Sequence, residues 1–105
     1  MAAVELDPEA LRELEAAADR LAGSMAQRLR DEVARVGLAI GDKPRIYPFW
    51  PGLHELGVRR IVLRRLPYSI AYLVEQDTVW IVAVAHHRRA PGYFLPRVAR
   101  RRRTR

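Results

Sequence analysis

Two hydrophobic periods divide the chain. Residues 3–6 alternate as a short strand and end at Asp7 and Pro8, an N-capping side chain followed by the residue suited to the first helical position. Leu11, Leu14, Ala18 and Leu21 then recur at helical spacing, which predicts a first helix running to about Ala22 and stopping at Gly23. Ser24 and Gln27 have the spacing of a capping box for a second helix. Its apolar stripe is Met25, Leu29, Val33, Val36 and Ile40, closed by Gly41 and Pro44. So short a turn folds two amphipathic helices back on each other as an antiparallel hairpin.

Lys43 to Gly57 is rich in proline, glycine and aromatics and reads as an ordered loop. Beyond it the period changes to two, with strands expected over residues 58–65, 68–75 and 78–86, separated by Leu66-Pro67 and by Gln76-Asp77. Connections this short force antiparallel neighbours. On the last strand, strict alternation puts Val79, Ile81, Ala83 and Ala85 on one face and Trp80, Val82 and Val84 on the other. Both faces are apolar, so the strand is central, covered by helices on one side and by something else on the other. After a turn at Pro91-Gly92 the chain ends in a basic run, residues 97–105, with no apolar pattern. The expected fold class is α+β: an N-terminal strand, a helical hairpin, then a three-stranded antiparallel meander. One domain over residues 1–97 is followed by a basic, disordered tail over 98–105.

Composition narrows the function classes. A chain of 105 residues is too short for two independent cores. It has no cysteine, which removes disulfides, a thiol nucleophile and thiolate metal sites, and fits a reducing cytoplasm. The start has an acidic residue where a signal peptide would be basic and apolar. The longest apolar run, Val79 to Ala85, falls far short of the roughly 20 residues a membrane helix needs, so no membrane is expected.

The formal charge of +7 is unevenly spread. Up to Arg45, nine acidic residues outnumber seven basic ones, leaving −2, so the remainder carries +9. Such a half attracts polyanions or an acidic partner. Apart from Lys43 every Lys or Arg is arginine, whose planar fork suits phosphate and carboxylate.

The order of elements resembles the RelE/ParE superfamily of toxins, and so do "GVRRIVLRRLPYSIAYLV" from Gly57 to Val74 and "VWIVAVAHHRRAPGYFLPR" from Val79 to Arg97. The opening "VELDPEALRELEAA" is similar to the family's entry into its first helix. Leu66 departs from it where Phe is usual, and residues 100–105 run past its usual end. The resemblance implies a type II toxin that inhibits growth, associated with plasmid stabilisation and neutralised by a cognate acidic antitoxin. The ribosome-dependent mRNA endonuclease of RelE-like members stands first as the implied activity. ParE-like inhibition of DNA gyrase without chemistry, and a degenerate toxin acting only as a binding module, are the alternatives, since one fold hosts all three.

Metal-independent RNA cleavage needs a base for the 2′-hydroxyl, an acid for the leaving oxygen and cations for the phosphorane. His87, Tyr93, Arg88, Arg89 and Arg65 supply those residue types and are the candidate catalytic set. Adjacent strand residues point to opposite faces, so His86 and His87 cannot both serve one site if the strand continues through them. In the family a His at the place of His86 is shared by members of different activity, which favours a structural role hydrogen-bonded at the strand end. Arg60, Val62 and Arg64 share a strand face, and Arg60, Arg64, Arg97 and Arg101 are candidates for binding nucleic acid or a partner, against the alternative of a solvated edge. Tyr47, Phe49 and Trp50 fit a satellite core under the loop better than a base-stacking platform.

No metal is expected: the basic half offers only Glu55, Glu75 and Asp77, and the three histidines include two that are adjacent. No P-loop or dinucleotide fingerprint occurs, so no small-molecule cofactor is expected either.

Overall fold

The computed structural model describes residues 1–103. Strand β1 (Ala3–Leu6) leads into helices α1 (Pro8–Arg20) and α2 (Gly23–Asp42), followed by strands β2 (Arg59–Val62), β3 (Tyr68–Glu75) and β4 (Thr78–His86) and helix α3 (Leu95–Arg103). The sheet order is β1-β4-β3-β2, antiparallel except for the parallel pairing of β1 with β4. The expected meander is present, and β4 is central in its first half.

Asp7 caps α1 as its residue type predicts, its Oδ1 accepting the Glu9 N–H at 2.8 Å. The Ser24–Gln27 capping box does not form. The link between the helices is only two residues long, so α2 already begins at Gly23, whose φ of +47° lets the chain turn there, and no side chain caps it. Gln27 instead donates along the helix to Asp31. At the other end of α2, Gly41 packs on β1: its carbonyl accepts the Ala2 N–H, and an added Cβ would meet Val4 Cγ2 at 3.2 Å.

β2 is shorter than the expected 58–65. Val58 belongs to the loop, where its carbonyl takes the Trp50 N–H. At the far end the Leu63 N–H donates to Tyr68 and Arg65 adopts φ +60°, so residues 64–67 form the hairpin turn. Arg64 and Arg65 therefore leave the strand faces assigned to them. The loop also pairs with the outer edge of β2, through the Arg60 N–H to Pro48 and a bridge between Phe49 and Arg59, so that edge is not solvated.

The strict alternation expected on β4 is broken by a bulge. Ala71 pairs with Ala83 but Tyr72 with Ile81, so Val82 is the extra residue. Val79, Ile81 and Val84 consequently face the helices, packing with Leu29, Val36 and Ile40, while Val82, Ala83 and Ala85 face the other way. The second cover, left open by the sequence, consists of the loop residues Trp50 and Leu53 together with Phe94 and Val98. Trp50 thus has the satellite-core role.

The run from Arg97 differs from the expected disordered tail: it is α3 as far as Arg103. Val98 is buried against the sheet, and that one apolar residue among arginines was too little to register as a pattern. Residues 98–103 are therefore continuous with the folded unit; the last two residues of the expected tail, 104 and 105, lie outside the described residues.

Candidate functional site

Pro8 has no N–H to continue the ladder, so β1 stops after the Asp7 N–H has donated to Ile81. Among the described residues, no strand lies beside the edge of β4 beyond that point. Two side chains take its place. Glu13 on α1 accepts the Val84 N–H through Oε1 at 3.0 Å, and Arg97 on α3 donates to the carbonyl of the bulged Val82 at 3.0 Å. The two bind each other as well, Arg97 Nη1 to Glu13 Oε1 at 2.8 Å and Nη2 to Oε2 at 3.0 Å, and Arg97 Nε pairs with Glu9 at 2.6 Å. Both side chains are largely buried. Burial is the largest single influence and works against the Arg97 charge, but the bond to Glu13 together with the attraction of Glu13 and Glu9 outweighs it and raises its pKa.

The Tyr93 hydroxyl completes this cluster by donating to Glu13 Oε2 at 2.5 Å. Burial first, and then the carboxylate that accepts its proton, push the phenol above its ordinary value. Of the residues expected to carry chemistry, Tyr93 therefore has its hydroxyl committed to Glu13, while its ring borders a cleft shared with His87. Arg97, expected to bind a partner, is held inside the molecule.

His86 and His87 fall on opposite faces, as alternation requires. His86 Nδ1 accepts the Arg88 N–H at 3.0 Å and its ring stands edge-on to Tyr68. Burial, then the charges of Arg88, His87 and Arg20, lower its pKa below the ordinary imidazole value. This is the structural role expected for it. His87 is exposed, with Nε2 hydrogen-bonded to the buried Ser69 Oγ at 2.9 Å.

A cleft of about 180 Å³ joins His87 to Ser69, Arg60, Arg89 and the rings of Trp50 and Tyr93. Arg60 lies over Trp50 at 5.0 Å, and its buried Nε has no partner among the described residues. Arg89 covers the Tyr93 ring at 3.8 Å. Two guanidiniums and an imidazole in one cleft can hold a phosphate or a carboxylate. Arg88, exposed, is not among its lining residues.

Arg64 and Arg65 lie elsewhere. They border a groove with Arg28, Arg35 and Glu32, where Glu32 accepts the Arg64 N–H at 3.0 Å and pairs with Arg35 at 2.6 Å. Hydrogen bonding to Arg35, joined by the Arg64 N–H, brings the Glu32 carboxyl down to about 2 against the opposing effect of desolvation. Arg65 thus does not join His87. Arg101 stacks on Trp80 at 3.5 Å, Arg100 pairs with Asp7 at 3.1 Å, and Arg102 donates to the Leu56 carbonyl.

Glu13 and Ser69 are the residues that sequence reasoning missed. Glu13 follows Glu9 by four on the polar side of α1, and nothing local separates a buried carboxylate from a solvated one. No three His, Cys, Asp or Glu residues among those described cluster as metal ligands would, and no described helix is long and apolar enough to cross a membrane.

The sequence matches the family described as ParE toxin of type II toxin–antitoxin system, parDE, over residues 4–91. No curated protein matches it. Among solved structures it is similar to a chain of the chromosomal ParDE toxin–antitoxin system from P. aeruginosa, at 20% identity and a TM-score of 0.69, covering 82% of this chain and 96% of that one. It is also similar to an arginine double mutant of the E. coli toxin RelE in the free state, at 21% identity and a TM-score of 0.61, covering 96% and 98%. The strand, helix pair and meander seen here are the fold those two share. With the family pattern spanning all four strands and the helical hairpin, the chain belongs to the ParE toxins of type II toxin–antitoxin systems.

Proposed function

We propose that this protein is held inactive by a cognate acidic antitoxin and, once free, acts by binding its target, as ParE-like gyrase inhibitors do, rather than by cleaving RNA. The observation that supports this is the engagement of Tyr93. RNA cleavage without a metal needs two proton-transfer groups, and the Tyr93 hydroxyl, donated to Glu13 with its pKa raised, serves as neither acid nor base near neutrality. That leaves the histidines His86 and His87 at the cleft, and His86 has its Nδ1 taken up by the Arg88 N–H, so His87 is the one aligned with the arginines Arg60 and Arg89. On this reading Arg60, His87 and Arg89 form a contact surface, and the protein works in the cytoplasm, where gyrase is.

A second reading, ribosome-dependent mRNA cleavage with RNA bound in the same cleft, is favoured by the buried Arg60 Nε that lacks a partner and by the accessible His87. Expression of the free toxin in cells separates the two. Induction of the DNA-damage response with intact mRNA is the expected result. Codon-phased mRNA cuts without DNA damage overturn it in favour of the nuclease. Neither signal from a folded, antitoxin-free protein makes it a degenerate toxin that only binds. Co-expression with the product of the adjacent gene tests the pairing, and a lone protein that is harmless and captures nothing from that gene refutes it.

A further inference from the structure

One end of the molecule gathers exposed arginines from elements that are far apart in sequence. The β2–β3 turn lies against α2, where Glu32 accepts the Arg64 N–H at 3.0 Å, and against the chain beyond β4, where the His87 N–H donates to Pro67 at 2.9 Å. An open groove of about 770 Å³ separates the turn from α2, with Arg64 and Arg65 on one wall and Arg28 and Arg35 on the other. Arg88, also exposed, follows the Pro67 contact at the same end. The groove's own carboxylates do not neutralise it. Glu32 is held by Arg35 and the Arg64 N–H, and Asp31 accepts from Gln27, which carries no charge. Four arginines against two carboxylates leave a surplus of two positive charges on the groove. Arg28, Arg64, Arg65 and Arg88 take part in no ion pair among the described residues.

The lining decides which polyanion fits. Every residue in it is polar or charged. A protein partner buries an apolar centre at its contact, and the groove offers none. A nucleic-acid single strand stacks its bases on aromatic rings, and no ring lines the groove. Separate, exposed guanidiniums without either feature match the regularly spaced phosphates of a duplex. Resting on the reading above that the toxin acts by binding gyrase, we infer that this groove grips the backbone of the duplex DNA on which such a target works. Arg28, Arg64, Arg65 and Arg88 meet its phosphates. The contact is independent of base sequence and separate from the cleft of Arg60, His87 and Arg89.

The test measures binding of the full-length protein to a fluorescent DNA duplex of about 20 base pairs by anisotropy, over a range of potassium chloride concentrations. The logarithm of the binding constant should fall linearly with that of the salt concentration. The Arg28→Gln/Arg64→Gln/Arg65→Asn variant should bind about tenfold or more weakly at low salt, with a slope shallower by about 2 to 3. Asparagine suits the φ of +60° at position 65, and a melting curve reports that the variant folds. Arg12→Gln/Arg30→Gln/Arg103→Gln removes the same charge from exposed positions outside the groove and should stay within a few-fold of wild type. Absence of duplex binding, an unchanged slope in the groove variant, or an equal loss in the charge-matched one would each overturn the inference. So would tighter binding, in competition, of oligothymidine, duplex RNA or polyglutamate, which would assign the groove to a single strand, to RNA or to an acidic protein. If the duplex binds as expected but the wild type leaves gyrase supercoiling intact, the target reading fails and the groove stands. If the wild type inhibits supercoiling without binding the duplex, the groove alone is refuted.

Discussion

Glu13 and Arg97, 84 residues apart in sequence, meet as a forked ion pair that also satisfies the Val84 N–H and the Val82 carbonyl on the open edge of β4. Removing Arg97 leaves the Glu13 charge largely buried without its cation, and removing Glu13 leaves Arg97 only the more exposed Glu9 and the Val84 N–H unsatisfied; breaking a buried pair in this way costs about 3 kcal/mol or more. Glu13→Ala should therefore lower the urea midpoint substantially, and Arg97→Ala comparably. The double variant should cost much less than the sum, because each single change already breaks the same pair. Glu13→Gln, which keeps one acceptor, should fall between. Additive losses would mean that the two residues act separately.

Truncation after Arg97 should destabilise the protein. It removes Val98, whose burial contributes about 1.5 kcal/mol or more, together with the Arg100–Asp7 pair and the cover that Arg101 gives Trp80. A fall of several degrees in the thermal midpoint is expected, and an unchanged midpoint would show that the run behaves as a solvated tail.

That reversal shows where sequence reasoning stopped. The strands, the helical pair and the central place of β4 were legible because period two and period 3.6 depend on local burial alone, and Asp7-Pro8 fixed the start of α1. The bulge at Val82 was not legible. In a strand apolar on both faces, slipping one residue leaves the pattern looking the same, although it decides which way His86 and His87 point. The arginine-rich C-terminus looked solvated because its partners Asp7, Glu9 and Glu13 lie some 90 residues earlier, and a long-range ion pair leaves no local trace. For the same reason, listing His87, Arg88, Arg89, Tyr93 and Arg65 by residue type did not tell those that border one cleft, His87, Arg89 and the Tyr93 ring, from Arg88, which does not line it, and Arg65, which sits in a turn beside α2.

Glu32 gives the acid limb of the stability profile a definite source. Its carboxyl titrates near 2 in the folded protein against an ordinary 4.5, so its stabilisation is complete above about 4.5 and is lost progressively as the pH falls toward 2. The partner Arg35 is 42% exposed, which holds the pair to about 1 kcal/mol or less. Glu32→Gln should flatten the dependence of the unfolding free energy on pH below 4.5 and leave its slope above pH 6 unchanged. An acid limb identical to wild type would assign the effect to other carboxylates.

Tyr93→Phe and His87→Ala separate binding from chemistry. Phenylalanine keeps the ring under Arg89 and against Phe94 but deletes the hydrogen bond to Glu13, and loss of a bond to a charged acceptor costs about 1.5–3 kcal/mol of stability. If the toxin acts by binding, Tyr93→Phe should lower the melting temperature and leave gyrase inhibition within a few-fold of wild type when assayed well below that temperature. His87→Ala should then weaken inhibition by no more than a contact residue does, a few kcal/mol at most. If the toxin cleaves RNA with either group as proton carrier, that variant should lose about 10²-fold or more in cleavage rate while a binding assay on the intact target changes little. Purified variants, each checked for folding by its melting curve, should be compared in supercoiling inhibition and in cleavage of mRNA on stalled ribosomes. Binding predicts an effect of His87→Ala in the first assay and no activity for any form in the second. A wild-type cleavage signal that His87→Ala or Tyr93→Phe abolishes would refute the binding mechanism, since a contact surface has no means of breaking a phosphodiester.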